Sequence, residues 1–249
     1  MTETAHQLKI HSIESFGTHD GPGIRLVIFL QGCNLKCLYC QNADTIQHDG
    51  GRLIEIDEIV KRAVNMKTYF GKTGGVTISG GEPLLQSKNL IPLFHRLKAE
   101  GIHTNIDTNA TVSNVYAKEL ISNLSDLVMF DIKHTNGEGF EKLTGRNGLQ
   151  TALDLVALRE QSEKPYWLRY VLIPGYTDRQ EQLHWLGEQF GANKFAERIE
   201  ILPYHKLGQY KWEALGESYQ LTEVPENTPE QIQQAKDILE KFFQQVISK

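Results

Sequence analysis

Cys33-Asn34-Leu35-Lys36-Cys37-Leu38-Tyr39-Cys40 holds all three cysteines of the 249-residue chain within eight positions. The spacing, four and then three, lets one loop curl around a compact object and present three thiolates to it. Thiols this close in sequence make poor disulfide partners for one another, and one of the three would be left over. Soft sulfur donors point to an iron–sulfur cluster or to zinc. A structural zinc site closes four ligands, often with a second Cys-x-x-Cys pair or with histidines at short spacing. Here there is no second pair, and the nearest later histidine is His48. Inert buried thiols would be the plainest alternative, but chance seldom gathers every cysteine of a chain into one loop. A cubane cluster has four irons, so three cysteines leave one iron without a protein ligand. Three ligands and an open position is the reading that the spacing favours.

Working outward, Asp20-Gly21-Pro22-Gly23-Ile24-Arg25 precedes the loop, Phe29-Leu30-Gln31-Gly32 leads into it and Gln41-Asn42 follows. Together with Cys-x-x-x-Cys-x-x-Cys, this set resembles the radical S-adenosylmethionine (SAM) enzymes. Within them it is similar to the family of pyruvate formate-lyase activating enzymes, a branch of the glycyl-radical activases. The likeness runs over essentially the whole chain. It implies a [4Fe–4S] cluster on Cys33, Cys37 and Cys40, with the methionine end of SAM chelating the open iron. A reduced cluster then cleaves SAM to a 5′-deoxyadenosyl radical, which takes a hydrogen from the α-carbon of one glycine of a partner enzyme. By resemblance that partner is pyruvate formate-lyase (formate acetyltransferase), and the electron donor is a small flavodoxin or ferredoxin. No acid–base residue is needed beyond the cluster and SAM.

The same resemblance supplies candidate SAM contacts. Gly80-Gly81-Glu82 matches the motif that meets the SAM amino group, although taken alone it reads as a strand-to-helix turn. Asp131-Ile132-Lys133 and His205 match carboxylate- or ribose-binding positions, against the plainer readings of a solvated lysine and a loop histidine. Tyr39, Cys40 and Gln41 fall near the adenine. Arg169 is a further SAM anchor or, equally, a structural ion-pair partner. Asp107 and Asp131 end neighbouring predicted strands, where two carboxylates repel unless a cation or proton intervenes. The family holds a monovalent cation there, and Asp107, Thr108, Met129 and Asp131 match its ligands, hard oxygen donors among them suiting such an ion. The glycine-rich Asp20–Arg25 loop is expected to meet the partner's glycine segment. The chain departs from the family pattern at Gln41, where histidine is frequent, and at Pro83 after the Gly-Gly-Glu. Many other activases insert a second cluster domain after the cysteine motif. Here Thr45 to Leu53 fills that place without a cysteine, which supports the pyruvate formate-lyase type.

Composition sets the outer bounds. The chain is 40% hydrophobic and 23% charged with a net charge of −5, which suits a globular protein and argues against general nucleic-acid binding. Met1-Thr2-Glu3-Thr4-Ala5-His6 lacks the basic and apolar regions of a signal peptide. No run of about 18 apolar residues occurs, so a membrane-spanning helix is not expected. Clustered thiols suit a reducing compartment. The expectation is a cytoplasmic monomer with no membrane or nucleic-acid partner.

Along the chain, strands are expected at Leu8–Ser15, Ile24–Leu30, Val76–Ser79, Ile102–Asp107, Leu127–Ile132, Trp167–Ile173 and Arg198–Leu202. Helices are expected from Asp57 to about Phe70, around Leu90–Leu97, Ser113–Ser122, Leu149–Glu160 and Gln180–Phe190, with a final one over Pro229–Val246. After the first, six strands alternate with helices, which argues for a parallel α/β sheet. An open doubly wound sheet fits this count. A partial (β/α)6 barrel of the radical SAM type is preferred, because each strand delivers polar residues at its C-terminal end, where barrels bind ligands. With no Ser/Pro-rich linker and no repeat, one domain over 1–249 is expected. Two other readings stay open: a radical SAM enzyme acting on a small molecule, and a cluster- or zinc-binding module without turnover.

Overall fold

The computed structural model describes residues 6–248; apart from His6, the N-terminal stretch read above for targeting signals lies outside them. The chain forms two compact units. One comprises Met1–Asn34 with Thr45–Met129, and the other Leu35–Asp44 with Phe130–Lys249.

The first unit is built on strands in the order β3-β1-β2-β4-β5, where β1 is Gln7–Gly17, β2 Arg25–Leu30, β3 Arg52–Glu55, β4 Gly75–Gly80 and β5 His103–Thr108. β2, β4 and β5 run parallel, with Arg25 opposite Gly75 and Gly75 opposite His103. β1 runs antiparallel to both β2 and β3. β2 is the near-continuous apolar run that a strand covered on both faces requires, and five of its six residues are buried. Helix α1 (Ile56–Asn65) starts from Glu55, not from Asp57 as expected; Asp57 lies in the first turn, where its charge favours the helix dipole. The expected helix to Phe70 is interrupted at Met66 and resumes as the short α2 (Lys67–Phe70). α3 (Ser87–Ala99) buries Leu90, Leu93, Phe94 and Leu97, the row that its sequence marked. α4 (Val115–Glu119), capped by Asn114, widens into a π turn over Leu120–Leu124.

β6 (Leu127–Asp131) carries the chain from one unit into the other. In the second unit β7 (Tyr166–Leu172), β8 (Ala196–Pro203) and β9 (Val246–Ser248) are parallel neighbours. Its helices are α5 (Gly137–Thr144), α6 (Leu149–Gln161), α7 (Gln180–Phe190), α8 (Gln209–Ala214) and α9 (Pro229–Leu239). α9 begins with a capping box between Thr228 and Gln231 and has Pro229 in its first turn. It stops at Leu239, short of the expected Val246, because the terminal Val246-Ile247-Ser248 pairs with β8 instead. β3, α5, α8 and β9 were not foreseen. Each is a segment of at most eight residues whose form depends on its neighbours.

Candidate cofactor site

In the first unit the ends of β2 and β4 are stitched together. Gly81 N–H donates to Leu30 O (2.9 Å) and Glu82 N–H to Gly32 O (2.8 Å). Gly32 and Cys33 donate in turn to Thr45 O (2.8 Å) and Ile46 O (3.1 Å). A Cβ on Gly81 would fall 2.1 Å from Gly32 O, and one on Gly80, whose φ is +116°, 2.2 Å from Leu30 N. The Gly-Gly pair is therefore demanded by the chain's own backbone, whose close approach leaves no room for a Cβ at either position.

Glu82, the last residue of the motif, turns inward. Its side chain is wholly buried (0% exposed), and both oxygens are engaged by the protein. Oε1 accepts from Thr108 Oγ1 (2.6 Å) and Leu84 N (2.9 Å), and Oε2 from Asn109 N (2.8 Å). Burial pushes its pKa up to about 7, with the three hydrogen bonds pulling the other way and Asp107 adding to the rise. The carboxylate thus fastens the turn after β4 to the end of β5, leaving any ligand contact to other atoms of the motif. Asn109, which motif reasoning did not single out, follows at once. Its Nδ2 lies 3.7 Å from Cys33 Sγ and 3.3 Å from Asn34 Oδ1. Asp107 accepts from Ser79 Oγ at 3.0 Å, and Met129 is fully buried. The Thr108 hydroxyl is committed twice, donating to Glu82 and accepting from Ala110 N (2.9 Å). Arg25, at the end of the glycine-rich loop, points inward. It is fully buried and reaches Thr77 Oγ1, Pro22 O (2.9 Å) and Val76 O (2.8 Å), so it moors the glycine-rich loop.

In the second unit the rest of the cysteine loop rests on two helices that were not foreseen. Lys36 N–H and Leu38 N–H donate to Thr144 O and Leu143 O, both at 2.9 Å, using carbonyls that the end of α5 leaves open. Trp212 Nε1 of α8 donates to Cys40 O (2.9 Å), and Lys211 Nζ lies 3.0 Å from Asp44 Oδ1. Cys40 N–H closes a turn onto Cys37 O at 3.0 Å. Burial raises the Cys37 thiol to about 12, with Lys133 opposing and Cys40 and Asp131 adding.

Lys133 is buried (9% exposed) and ion-paired with Asp131, so it is not the solvated lysine that was the plainer reading. Its Nζ sits 5.6 Å from the centre of the buried Tyr39 ring. Burial alone would lower its pKa, but Asp131, Tyr39 and Cys37 outweigh burial and hold it well above the usual lysine value. Lys133 thus meets one oxygen of the Asp131 carboxylate, Oδ2. Ile132 is buried, its N–H bonded to Arg169 O (3.0 Å). The Arg169 side chain lies 3.4 Å from the fully buried Glu200, the ion pair weighed against a SAM contact. His205 meets the Gln41 amide at 2.6 Å through Nε2, and Leu207 N–H points at its Nδ1 (3.3 Å).

No cysteine forms a disulfide, and among the described residues no three His, Cys, Asp or Glu side chains are gathered as for a single metal ion. Three soft donors in one loop, none in a disulfide and with an amide N–H against Cys33, fit the chemistry of an iron–sulfur cluster.

Comparison with known proteins agrees. The model of the radical SAM superfamily matches residues 27–184. A pyruvate formate-lyase-activating enzyme of Streptococcus mutans is 42% identical over 92% of this chain and 90% of its own. The pyruvate formate-lyase 1-activating enzyme of Escherichia coli K12 is 40% identical over 96% and 98%. Among solved structures, Streptococcus suis SuiB bound to its precursor peptide SuiA superposes with a TM-score of 0.71 at 17% identity, over 95% of this chain and 50% of that one. The fold is therefore the α/β radical SAM fold, a partial barrel, and the family's cofactors are a [4Fe–4S] cluster and SAM. The chain belongs to the radical SAM superfamily and, within it, to the pyruvate formate-lyase-activating enzymes.

Proposed function

We propose that this protein activates pyruvate formate-lyase by generating a glycyl radical on it. The observation that carries the reading is the Cys33-x-x-x-Cys37-x-x-Cys40 loop, kept as thiols, in a chain 40–42% identical to enzymes named for that activity. When bound, the cluster and SAM supply one electron and a 5′-deoxyadenosyl radical that abstracts the glycine hydrogen. The chain's own residues hold and orient them. Cys33, Cys37 and Cys40 ligate the cluster. Gly80, Gly81 and Glu82 are the candidates for the SAM amino group, and Tyr39, Cys40, Gln41, Asp131, Ile132, Lys133, Arg169 and His205 complete the proposed SAM-binding set. Asp107, Thr108, Met129 and Asp131 are the candidates for a monovalent cation.

The family model draws on both compact units, which supports treating 1–249 as one radical SAM domain. A flavodoxin or ferredoxin is the proposed electron donor, and a cytoplasmic monomer the proposed state. Thiols outside disulfides support a reducing compartment, and among the described residues no helix is long and apolar enough to cross a membrane.

The test is anaerobic: reconstituted protein, SAM, a reductant and pyruvate formate-lyase, followed by electron paramagnetic resonance for a glycyl radical and by assay of 5′-deoxyadenosine. The expected result is a partner radical that forms with the wild type and not with Cys37→Ala. Formation of 5′-deoxyadenosine with no partner radical would assign the chain another substrate.

A further inference from the structure

Asn109 stands just beyond β5 with 7% of its surface exposed. Its orientation is fixed by its neighbours. Oδ1 accepts from Thr111 N (2.9 Å) and Thr111 Oγ1 (2.6 Å). The Thr111 hydroxyl accepts in turn from Asn34 Nδ2 (2.7 Å), and Asn34 Oδ1 faces Asn109 Nδ2 (3.3 Å). With its oxygen spent on two donors, the amide can present only its NH2 group to the remaining partners. Those are Asn34 Oδ1 and Cys33 Sγ, one for each N–H. From behind, Glu82 Oε2 holds the Asn109 backbone N–H at 2.8 Å. The next residue, Ala110, has φ +56°, a conformation that residues with a Cβ adopt only where the surroundings dictate it. Both the place and the direction of this amide are thus set by the fold.

We infer that Asn109 is a positioning residue that donates an N–H to the Cys33 thiolate and thereby raises the reduction potential of the cluster. The inference rests on the reading that Cys33 ligates that cluster. One-electron reduction brings in one negative charge and no proton; the electron comes from an external low-potential carrier, or from dithionite in the test. The added charge spreads onto the sulfurs, and a donor aimed at one of them stabilises the reduced form more than the oxidised form. Glu82 acts on the same quantity at one remove, by fastening Asn109.

The experiment is a redox titration of the reconstituted full-length protein without SAM, followed by electron paramagnetic resonance. At the wild-type midpoint, Asn109→Ala is expected to lower the ratio of reduced to oxidised cluster by about fivefold, the worth of one hydrogen bond. Asn109→Asp, which keeps the shape but puts a carboxylate against the thiolate, is expected to lower it further. Thr111→Val leaves the backbone N–H on Oδ1 but deletes the hydroxyl that also holds it and accepts from Asn34. This loosens the amide and should shift the midpoint in the same direction by less, whereas Thr111→Ser, which keeps the hydroxyl, should restore it. A midpoint in Asn109→Ala equal to or above that of the wild type would overturn the inference while leaving the cluster assignment standing. If that variant takes up no cluster, Thr111→Val decides: an unchanged midpoint overturns the inference and a negative shift supports it. Failure of the wild type itself to assemble a cluster would overturn the underlying reading instead.

Discussion

His103 shows how far one side chain's environment departs from what its sequence context reveals. Burial, together with the Arg25 guanidinium 3.3 Å from its Nδ1, lowers its pKa from 6.5 to about 4, with Lys98 adding to the fall and Asp126 opposing it. The folded state thus favours neutral imidazole, and the unfolded chain binds the proton more readily. This contribution to stability is complete above about pH 6.5 and is lost as pH falls through about 4. Denaturant midpoints of the cluster-free protein should therefore decline across that window, and His103→Asn should flatten the decline; an unchanged slope would remove His103 from the account. Lys133→Ala carries a second prediction. With the Lys133–Asp131 pair broken, SAM affinity should fall roughly tenfold, the worth of one charge-assisted hydrogen bond. Cluster absorbance should stay intact, and equilibrium dialysis with labelled SAM reads both outcomes. The cysteines were legible in the sequence because their spacing marks them, and the Gly-Gly-Glu because it resembles the family's motif. The inward turn of Glu82 and the aim of Asn109 were not, since both depend on which strand ends lie side by side.

The long elements followed their hydrophobic period. α6 and α7 begin where expected, the β2 and β4 cores coincide with their apolar residues, and β5 lies one residue from its expected bounds. The short ones did not. α5 has only eight residues, two of them glycines, and its N-terminus depends on the Asn136 side chain accepting from Gly139 N at 2.8 Å. α8 has six residues, and α5 and α8 are the two helices that support the cysteine loop. Replacing Trp212 by Phe keeps most of the packing and deletes the bond to Cys40 O. Alkylation of Cys37 and Cys40 in cluster-free protein should then quicken by roughly fivefold, for a loss of about 1 kcal/mol in the closed loop. An unchanged rate would show that α8 does not restrain the loop. Gly81→Ala should be harsher. A methyl 2.1 Å from Gly32 O forces the β2 and β4 ends apart, at a cost of about 3 kcal/mol, read as a lower denaturant midpoint together with poor cluster uptake.

Considered as one chain, the candidate site residues fall where strands end. Cys33 follows β2, Glu82 follows β4, Thr108 and Asn109 close β5, Asp131 and Lys133 close β6, and His205 follows β8. That order was visible in the sequence because a parallel α/β unit repeats strand, polar loop and helix. β1 was expected as a strand, but its antiparallel pairing was hidden, as were β3 and the late β9, since pairing between distant segments leaves little local trace. The account stands or falls on an iron–sulfur cluster with one iron open to SAM. Electron paramagnetic resonance of the anaerobically reconstituted, reduced protein, recorded with and without SAM, tests this. A reduced-cluster signal that changes on adding SAM is the predicted result. Bound zinc with no cluster signal, or a cluster signal indifferent to SAM, would contradict it.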